Sequence, residues 1–276
     1  MRFPSSWRIL GVGVVVAVLA AVPLVASADS DRRPVPDRPF GQATLTGFAS
    51  LPQGFSGAIR RLDGSFDVLS DNGYGSRPNS ADAILRIQRI KPNLRTGQVQ
   101  VVGGFNLSDP DRHVPFALHR PDRQLTGTDF DPESIIRARD GSYWIGDEFG
   151  PFLLHVDRAG KLLAPPIPMP DVFAPEYGGD RANLSGSKGL ESLAISPDRR
   201  RAYPLLEGTV RGDTPGSLRI YEFDLRTGTY TTNRWRYQLD APTGLAVADA
   251  ISIDDNRFLV IERDGGQGPT ATIKKI

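Results

Sequence analysis

The stretch Leu94-Arg95-Thr96-Gly97 recurs letter for letter at Leu225-Arg226-Thr227-Gly228, and Asp157-Arg158-Ala159-Gly160 takes the matching place between them. Each stretch separates two short runs of β-branched and aromatic residues, as the turn of a β-hairpin does. Self-similarity of this kind is typical of repeat architectures. The recurrence therefore predicts that one supersecondary unit is repeated along the chain.

A second series of turn sequences lies upstream of the first. It consists of Asp63-Gly64, Asp140-Gly141, Asp198-Arg199 and Asp254-Asp255. Each of these turns also separates two short apolar runs. Together the two series define units of two consecutive hairpins, hence four antiparallel strands, at roughly 56–107, 133–172 and 190–239, with a fourth unit beginning near Asp249.

Tandem four-stranded antiparallel units are the signature of propeller blades, which bury their faces against one another. We therefore predict an all-β, β-propeller-like fold of tandem four-stranded blades. A β-sandwich built from the same hairpins is the structural alternative. Because three full units and one partial unit do not close a ring, we expect an incomplete ring that a partner or a missing segment completes.

The N-terminal region has the order of a cleavable signal peptide. Arg2 and Arg8 precede an apolar run at 9–22, and Ala26-Ser27-Ala28 supplies the small residues of a cleavage site. The run is shorter than the roughly 20 residues that span a bilayer, so we expect cleavage after Ala28 and no stable membrane span thereafter, with an uncleaved anchor as the alternative. The predicted location is secreted, periplasmic or at the cell envelope.

These boundaries divide the chain into three parts. Residues 1–28 form the predicted signal peptide, 29–44 a flexible linker with several prolines, and 45–276 the propeller domain. The whole chain has 33 Lys and Arg against 32 Asp and Glu, so no global field attracts nucleic acid, and we expect no such partner. Cysteine is absent, so in an exported protein the stability must come from packing or bound ions.

Acidic residues recur at one end of each predicted first hairpin. Because the strands are antiparallel, the residue entering the first strand and the residue leaving the second lie at the same end. Glu133, Glu191 and Asp249 precede first strands. The residues that follow second strands are Asp71, Asp147, Glu148, Glu207 and Glu262. If the first strands line the central channel, these carboxylates converge at one mouth of it.

Crowded carboxylates repel one another unless a cation compensates them, which raises some of their pKa values. A hard divalent cation, calcium above all, accepts six to eight oxygen ligands in flexible geometry. The predicted ligands are Asp71, Asn72, Glu133, Glu191 and Asp249. The alternative for any single position is a solvated acidic residue beside a turn.

Lys188 and Arg263 lie within a few residues of Glu191 and Glu262. We interpret the two cations as substrate-binding residues for an anionic group such as a phosphoester, and the alternative is that each pairs with its neighbouring carboxylate.

Two other kinds of site are disfavoured by the sequence. The histidines His113, His119 and His155 are too scattered to suggest zinc. The first two lie in a long polar insertion, which is either a mobile loop over the mouth or a plain surface loop. No G-x-S-x-G elbow is present, so a serine-esterase triad is not expected.

Five motifs together carry a resemblance to a known family. They are Leu69-Ser70-Asp71-Asn72-Gly73, Asp131-Pro132-Glu133-Ser134-Ile135, Trp144-Ile145-Gly146-Asp147-Glu148-Phe149-Gly150, Lys188-Gly189-Leu190-Glu191-Ser192-Leu193 and Val260-Ile261-Glu262-Arg263-Asp264. In combination they resemble the family called "esterase-like activity of phytase", from about residue 45 to the end of the chain. Members of that family usually continue with more strands beyond the point that corresponds to Ile276.

The resemblance implies an exported, propeller-like domain that acts in phosphoester or related ester hydrolysis. Carried over position by position, it implies functional roles for Asp71, Glu133, Asp147, Glu148, Glu191, Glu207 and Glu262, all but Asp71 being candidate catalytic residues.

The leading hypothesis for the function is a metal-assisted hydrolase of small-molecule esters or phosphoesters. Glu133 or Glu191 would act as general base, and Lys188 or Arg263 would steady negative charge. A calcium-dependent lactonase would use nearly the same constellation on a cyclic ester. The alternative from another class is a non-enzymatic binding module, in which a structural calcium ion holds the blades together and one face binds a carbohydrate, peptide or envelope partner.

Overall fold

The strands form four sheets that follow one another along the chain. The computed structural model describes residues 45–46, 54–73, 76–93, 95–266 and 268–276, so the predicted signal peptide and linker lie outside the described residues. The first sheet contains β1 (Leu45–Thr46), β2 (Gly57–Arg60), β3 (Phe66–Leu69), β4 (Arg86–Asn93) and β5 (Gln98–Asn106). Its order is β1-β5-β4-β3-β2, in which the β1–β5 pair is parallel and the other pairs are antiparallel.

The other three sheets are antiparallel and keep their strands in chain order. The second sheet contains β6 (Pro132–Arg137), β7 (Tyr143–Asp147), β8 (Phe152–Val156) and β9 (Ile167–Pro168). The third contains β10 (Leu190–Ile195), β11 (Arg201–Leu206), β12 (Ser217–Asp224) and β13 (Thr229–Gln238). The fourth contains β14 (Leu245–Ser252), β15 (Phe258–Asp264) and β16 (Lys274–Lys275).

The four sheets are the blades of a β-propeller, which confirms the predicted fold class. The first strands of consecutive blades lie side by side, β2 beside β6, β6 beside β10, and β10 beside β14. Each blade is therefore packed face to face with the next, as propeller blades are. The predicted sandwich alternative does not describe this arrangement, because the four sheets radiate in series and do not form two layers.

Helical structure is slight in the described part of the chain. It comprises the short helix α1 (Pro175–Gly178) and the 3₁₀ turns Arg77–Asn79, Gly179–Arg181 and Gly268–Thr270. Among the described residues, no helix has the length and the apolar character needed to cross a bilayer.

The predicted turns between the first two strands of each blade form for local reasons. Oδ1 of Asp140 accepts hydrogen bonds from the backbone N and the Oγ of Ser142 at 2.9 and 2.6 Å, and Asp63 holds Ser65 in the same way. Gly141 has a φ of +88°, in the left-handed region that glycine enters without steric cost. The aspartate and the glycine thus specify the turn from sequence alone.

The apolar core consists of three clusters, each between two neighbouring blades. Between the first and second blades the buried side chains include Leu69, Ile87, Ile135 and Ile145. Between the second and third they include Trp144, Leu193, Leu206 and Phe223, and between the third and fourth Leu205, Leu218, Val247 and Val260. Burial of these faces is what holds one blade against the next.

The long insertion between β5 and β6, residues 107–131, packs against the first and second blades. Oxygens of Asp109 accept hydrogen bonds from the backbone N of His113 and Val114 at 2.8 and 2.9 Å. Val114 is buried in the cluster between the first two blades, and the ring of Phe116 lies 5.7 Å from that of Phe130. The insertion is therefore a surface loop anchored by its own apolar side chains.

Candidate functional site

The hairpin register brings carboxylates to one end of the blades, which we call the mouth. A β-bulge interrupts the pairing of β6 with β7 between Pro132 and Ser134, and an equivalent bulge interrupts β10 with β11 between Leu190 and Ser192. The extra residue in each bulge is the glutamate, Glu133 in one blade and Glu191 in the other. A bulge leaves its extra residue unpaired and re-aims it, which lets both glutamates turn out of their sheets.

The ends of the second strands supply the next set of residues. Glu148 follows β7 directly, and Glu207 follows β11 directly. In the fourth blade the corresponding position is Arg263. The pair next to the bulge there is Val247 with Glu262, equivalent to Pro132 with Asp147 and Leu190 with Leu206, and Arg263 is the residue after it. The repeat thus contributes two carboxylates and one guanidinium from equivalent places.

Three carboxylates converge beside the second blade and form what we call the first carboxylate group. Oxygens of Asp131, Glu133 and Glu148 all lie within 4.8 Å of one another. The backbone N and the Nδ2 of Asn72 donate hydrogen bonds to the two carboxylate oxygens of Asp131 at 3.2 and 3.3 Å. Among the described residues, no basic side chain forms an ion pair with any member of this group.

The electrostatics of the first group reflect its burial. The pKa of Asp131 is raised to about 6. Burial and, to a smaller extent, the charge of Asp71 raise it, whereas the hydrogen bond from Asn72 lowers it. Burial also raises the pKa of Glu133 well above its ordinary value, assisted by the charges of Asp131 and Glu148. Uncompensated carboxylates therefore hold protons or a cation at this place.

Glu148 also belongs to a second carboxylate group, formed with Glu191 and Glu207, whose oxygens again lie within 4.8 Å of one another. This group carries its own positive charges. Nζ of Lys188 donates a hydrogen bond to Oε2 of Glu207, and Nη2 of Arg263 lies 3.8 Å from Glu191 and 3.5 Å from Glu207. The two groups therefore differ in charge compensation although they share a residue.

The shared residue has an unsatisfied atom. Glu148 is 5 % exposed, and its Oε1 is buried without a hydrogen-bond partner in the described structure. Burial, followed by the charges of Glu191 and Glu207, raises the pKa of Glu148 well above its ordinary value. A buried acceptor without a partner is destabilising, so this oxygen fits a site that a cation, a proton or a water molecule completes.

Gly189 explains how the second and third blades come close enough to share this site. Its backbone oxygen accepts hydrogen bonds from the backbone N of Glu191 and Glu207 at 3.1 and 2.9 Å. A Cβ at Gly189 would lie 2.3 Å from the backbone oxygen of Glu148, closer than any side chain allows. Glycine at this position therefore lets the three glutamates of the second group meet.

Two of the predicted catalytic residues lie outside both groups. The oxygens of Asp147 accept hydrogen bonds from the backbone N of Asp131 and Gly150 at 2.8 and 2.7 Å, and burial raises the pKa of Asp147 to about 8. Glu262 is fully buried and accepts a hydrogen bond from Tyr237 Oη at 2.7 Å. Both carboxylates hold neighbouring chain segments in place.

The predicted cation ligand Asp249 requires a correction. The sequence interpretation placed it before the first strand, with Glu133 and Glu191. Those two glutamates are the second residues of β6 and β10, whereas Asp249 is the fifth residue of β14. The bulge between β14 and β15 makes Ala248 the counterpart of those two glutamates. Asp249 takes the place of Ser192 in the neighbouring blade, and Ser192 Oγ lies 3.5 Å from its Oδ1.

The other predicted ligands, Asp71 and Asn72, lie beside the first group. Asp71 accepts a hydrogen bond from the backbone N of Gly73 at 2.9 Å, and burial raises its pKa. Its charge raises the pKa values of both Asp131 and Glu133.

The predicted substrate-binding residues Lys188 and Arg263 meet at the second group. Lys188 pairs there with Glu207, and Arg263 lies near both Glu191 and Glu207.

Sequence reasoning missed two acidic residues at the mouth. Asp131 stands two positions before Glu133 and opens the motif Asp131-Pro132-Glu133-Ser134-Ile135, which carries part of the family resemblance, so the sequence contained a signal for it. Glu176 lies in α1, between the second and third blades, and its charge contributes to the raised pKa of Asp131. No repeat position corresponds to Glu176, so nothing in the blade pattern indicates it.

A serine-histidine contact elsewhere does not form a nucleophilic site. Nε2 of His155 lies 2.9 Å from Oγ of Ser142, which lies 2.6 Å from Oδ1 of Asp140. The hydrogen bonds from Ser142 lower the pKa of Asp140, so its carboxylate is ionised and accepts a hydrogen bond from the serine hydroxyl. Ser142 must then accept from His155, which is the opposite of the polarity that a general base requires.

Known proteins resemble this chain at low similarity. An uncharacterized secreted protein of Arthroderma benhamiae is 28% identical over a stretch that covers 30% of this chain and 20% of that protein, so the chain matches about a fifth of the relative's length. A luciferin-regenerating enzyme is 10% identical with a TM-score of 0.39, covering 79% of this chain and 61% of that chain. The periplasmic gluconolactonase of Pseudomonas aeruginosa is 12% identical with a TM-score of 0.34, covering 81% and 70%. Structural likeness at this level carries no argument about activity.

Family membership rests on the sequence as a whole. The family model described as "Esterase-like activity of phytase" matches residues 51–276. Both carboxylate groups, Lys188 and Arg263 fall within the matched range. The five motifs had indicated the same family. The chain therefore belongs to the phytase-like family of esterase-like proteins.

Proposed function

We propose that this protein is an exported hydrolase of phosphoesters or related esters that works with a bound divalent cation, calcium in the first instance. The observation that carries the proposal is the buried, unpartnered Oε1 of Glu148, which lies where the two carboxylate groups meet. An acidic cluster alone is weak support for a metal site. A buried carboxylate oxygen without a donor strengthens it, because such an atom is costly unless something positive approaches it.

We assign the cation to the first carboxylate group, Asp131, Glu133 and Glu148. The donor set is entirely oxygen, which suits a hard cation such as calcium. This group has no ion pair with a described basic side chain, whereas the second group is already compensated by Lys188 and Arg263. Asn72 supports the assignment because its two hydrogen bonds hold the carboxylate of Asp131 in one orientation.

The cation would polarise the ester oxygen and lower the pKa of an attacking water molecule. Glu191 is the carboxylate that we assign as general base. Its charge interacts with both Glu133 and Glu207, so it lies between the cation ligands and the basic side chains. A carboxylate in that position can take a proton from water that is held at the first group.

Lys188 and Arg263 are assigned to the anionic part of the substrate. Lys188 uses one of its three N–H donors on Glu207, and Nη2 of Arg263 lies 3.5 and 3.8 Å from the carboxylates of Glu207 and Glu191, beyond a good hydrogen bond. Both side chains are partly exposed at the mouth. Their free donors suit a phosphoryl or carboxylate group, and a lactone with a carboxylate would fit the same arrangement.

Export is the remaining part of the proposal. It rests on the N-terminal pattern of charge, apolar run and small residues, and it agrees with the secreted nature of the fungal relative. Expression with the native N-terminus, followed by N-terminal sequencing of exported protein, should place the mature start at Asp29. Recovery of an intact Met1 in the membrane fraction would instead indicate an anchor.

The test of the activity is hydrolysis of a panel of phosphomonoesters, phosphodiesters, carboxylic esters and lactones, after chelation and with calcium restored. We expect calcium-dependent turnover of one ester class. The variants Glu148→Gln and Glu191→Gln should abolish it while leaving the fold intact by circular dichroism. Glu222→Gln is the matched control, because Glu222 lies within β12 and pairs with Arg201 away from the mouth.

The outcomes separate the candidate functions. Turnover that survives chelation and Glu148→Gln would overturn the proposal. Calcium that raises the melting temperature of a protein inactive on every ester would favour the binding module with a structural calcium ion.

A further inference from the structure

Glu176 is a mouth residue that no blade supplies. It lies in α1, within the segment 169–189 that connects β9 to β10. Its Oε1 accepts a hydrogen bond from the backbone N of Ser187 at 3.0 Å. Its Oε2 is buried and has no hydrogen-bond partner in the described structure. Glu148 and Glu176 are thus the two acidic residues of the described chain with an unsatisfied buried oxygen.

The position of Glu176 is held by contacts from two other loops. Nη1 of Arg77 donates to the backbone oxygen of Glu176 at 2.7 Å, and its Nε donates to the backbone oxygen of Thr128 at 3.0 Å. The guanidinium also lies 4.3 Å from the ring centre of Tyr177, whose hydroxyl donates to the backbone oxygen of Asp129 at 2.5 Å. Three loops at the mouth are therefore joined around this one glutamate.

Glu176 is close to the first carboxylate group without being a member of it. Burial is the main cause of the raised pKa of Asp131, and the charge of Glu176 contributes to it. Yet Glu176 is absent from both groups of carboxylates whose oxygens lie within 4.8 Å of one another. Arg77 and Tyr177 tie α1 to the backbone at 128–129, which leads directly into Asp131, and the unpartnered oxygen of Glu176 is therefore available to a water molecule in this neighbourhood.

We propose that Glu176 is a positioning residue of the cation site, which accepts a hydrogen bond from a water molecule in the coordination shell of the cation. The inference rests on the proposed function. Calcium takes six to eight oxygen ligands, and three carboxylates leave places for water. A side chain that hydrogen-bonds to a metal ligand and orients it is typical of metal sites, and its loss typically lowers metal affinity ten- to a hundredfold.

The substitution Glu176→Gln separates this role from a purely structural one. The amide oxygen of glutamine can still accept the hydrogen bond from Ser187, so the loop that precedes Lys188 stays in place. The amide nitrogen replaces Oε2 and cannot accept a hydrogen bond from water. We expect the dissociation constant for calcium, measured by titration calorimetry on chelated full-length protein, to rise about ten- to a hundredfold. The calcium-free melting temperature should stay the same.

Gly186→Ala tests the same idea without changing charge. A Cβ at Gly186 would lie 2.6 Å from Oε1 of Glu176, so the carboxylate must move. We expect weaker calcium binding here also. Asp180→Asn, an exposed change in the same connecting segment, is the matched control and should bind calcium as the wild type does.

Two results would overturn the inference. If the wild type binds calcium and Glu176→Gln binds it equally well, Glu176 has no role in the site, although the proposed function stands. If the wild type itself binds no calcium, the cation site and the role of Glu176 fail together.

Discussion

Nη2 of Arg263 lies 3.5 Å from Oε1 of Glu207, and the two residues occupy equivalent positions in the fourth and third blades. The same repeat position therefore carries a guanidinium in the fourth blade and a carboxylate in the third. With Lys188 also bonded to Glu207, this part of the mouth carries two basic side chains beside its carboxylates. The first carboxylate group, at the second blade, forms no ion pair with a described basic side chain.

Loss of the Arg263 charge should weaken the binding of anionic substrates. We expect Arg263→Gln to raise KM for an anionic ester by about tenfold or more, because a hydrogen bond to a charged group contributes about 1.5–3 kcal/mol. Steady-state kinetics on matched anionic and neutral esters would measure this. Arg257→Gln is the control, since Arg257 pairs with Asp254 in the exposed turn of the same blade. An equal rise in KM for the neutral ester would contradict an anion-binding role.

The effect of calcium on stability should depend on pH. Burial raises the pKa of Asp131 to about 6 and raises those of Glu133 and Glu148 as well. Since these pKa values are higher in the folded than in the unfolded protein, the protonated carboxyl groups stabilise the fold at low pH. For Asp131 this contribution is present below about pH 4 and is lost as the pH rises through 6, and for Glu133 and Glu148 it is lost as the pH rises through their raised pKa values. Bound calcium needs the ionised carboxylates and removes this penalty. We therefore expect the calcium-induced rise in melting temperature to be larger at pH 7.5 than at pH 5.

Calorimetric scans with chelator and with calcium at the two pH values would measure the difference. Other titrating groups contribute equally to both scans at one pH, so they cancel in the comparison. A calcium effect of equal size at both pH values would argue against ligands with raised pKa values.

Asp249 offers a test of its corrected position. Burial raises its pKa to about 6, so its contribution to stability is also lost as the pH rises through 6. Asparagine keeps an oxygen that can accept the hydrogen bond from the backbone N of Ala250. We expect Asp249→Asn to increase the free energy of unfolding by about 3 kcal/mol at pH 7.5 and to leave it nearly unchanged at pH 4. Urea denaturation with chelator present would show this, and a loss of calcium affinity would restore Asp249 as a ligand.

Tyr143 should stabilise the contact between the first two blades. Its hydroxyl donates a hydrogen bond to the buried Asp67 at 2.7 Å, and Arg61 and Arg89 pair with the same carboxylate. We expect Tyr143→Phe to lower the free energy of unfolding by about 1 to 3 kcal/mol, because a buried carboxylate loses one of its hydrogen bonds. Tyr230→Phe is the matched control, since the buried hydroxyl of Tyr230 has no partner to lose. Equal losses in the two variants would show that the hydrogen bond contributes little.

The blade pattern was readable from the sequence because turns are specified locally. The predicted units at roughly 56–107, 133–172 and 190–239 correspond to strands at 57–106, 132–168 and 190–238. Asp140 and Gly141 show why: a side-chain hydrogen bond within two residues and a positive φ suffice to form the turn. Glu133, Glu148, Glu191 and Glu207 followed from the same counting, since each stands at a fixed distance from its turn.

Tertiary structure alone decided which of these carboxylates meet. A bulge moved Asp249 out of the position that simple counting assigned to it, and Asp147 and Glu262 proved to hold the backbone and a tyrosine. Asp131 and Glu176 joined the mouth through contacts across blades and loops. Distances between residues far apart in sequence depend on how whole sheets pack, and no local pattern encodes them. The sequence by itself determined the repeat and its acidic positions, and packing determined the site.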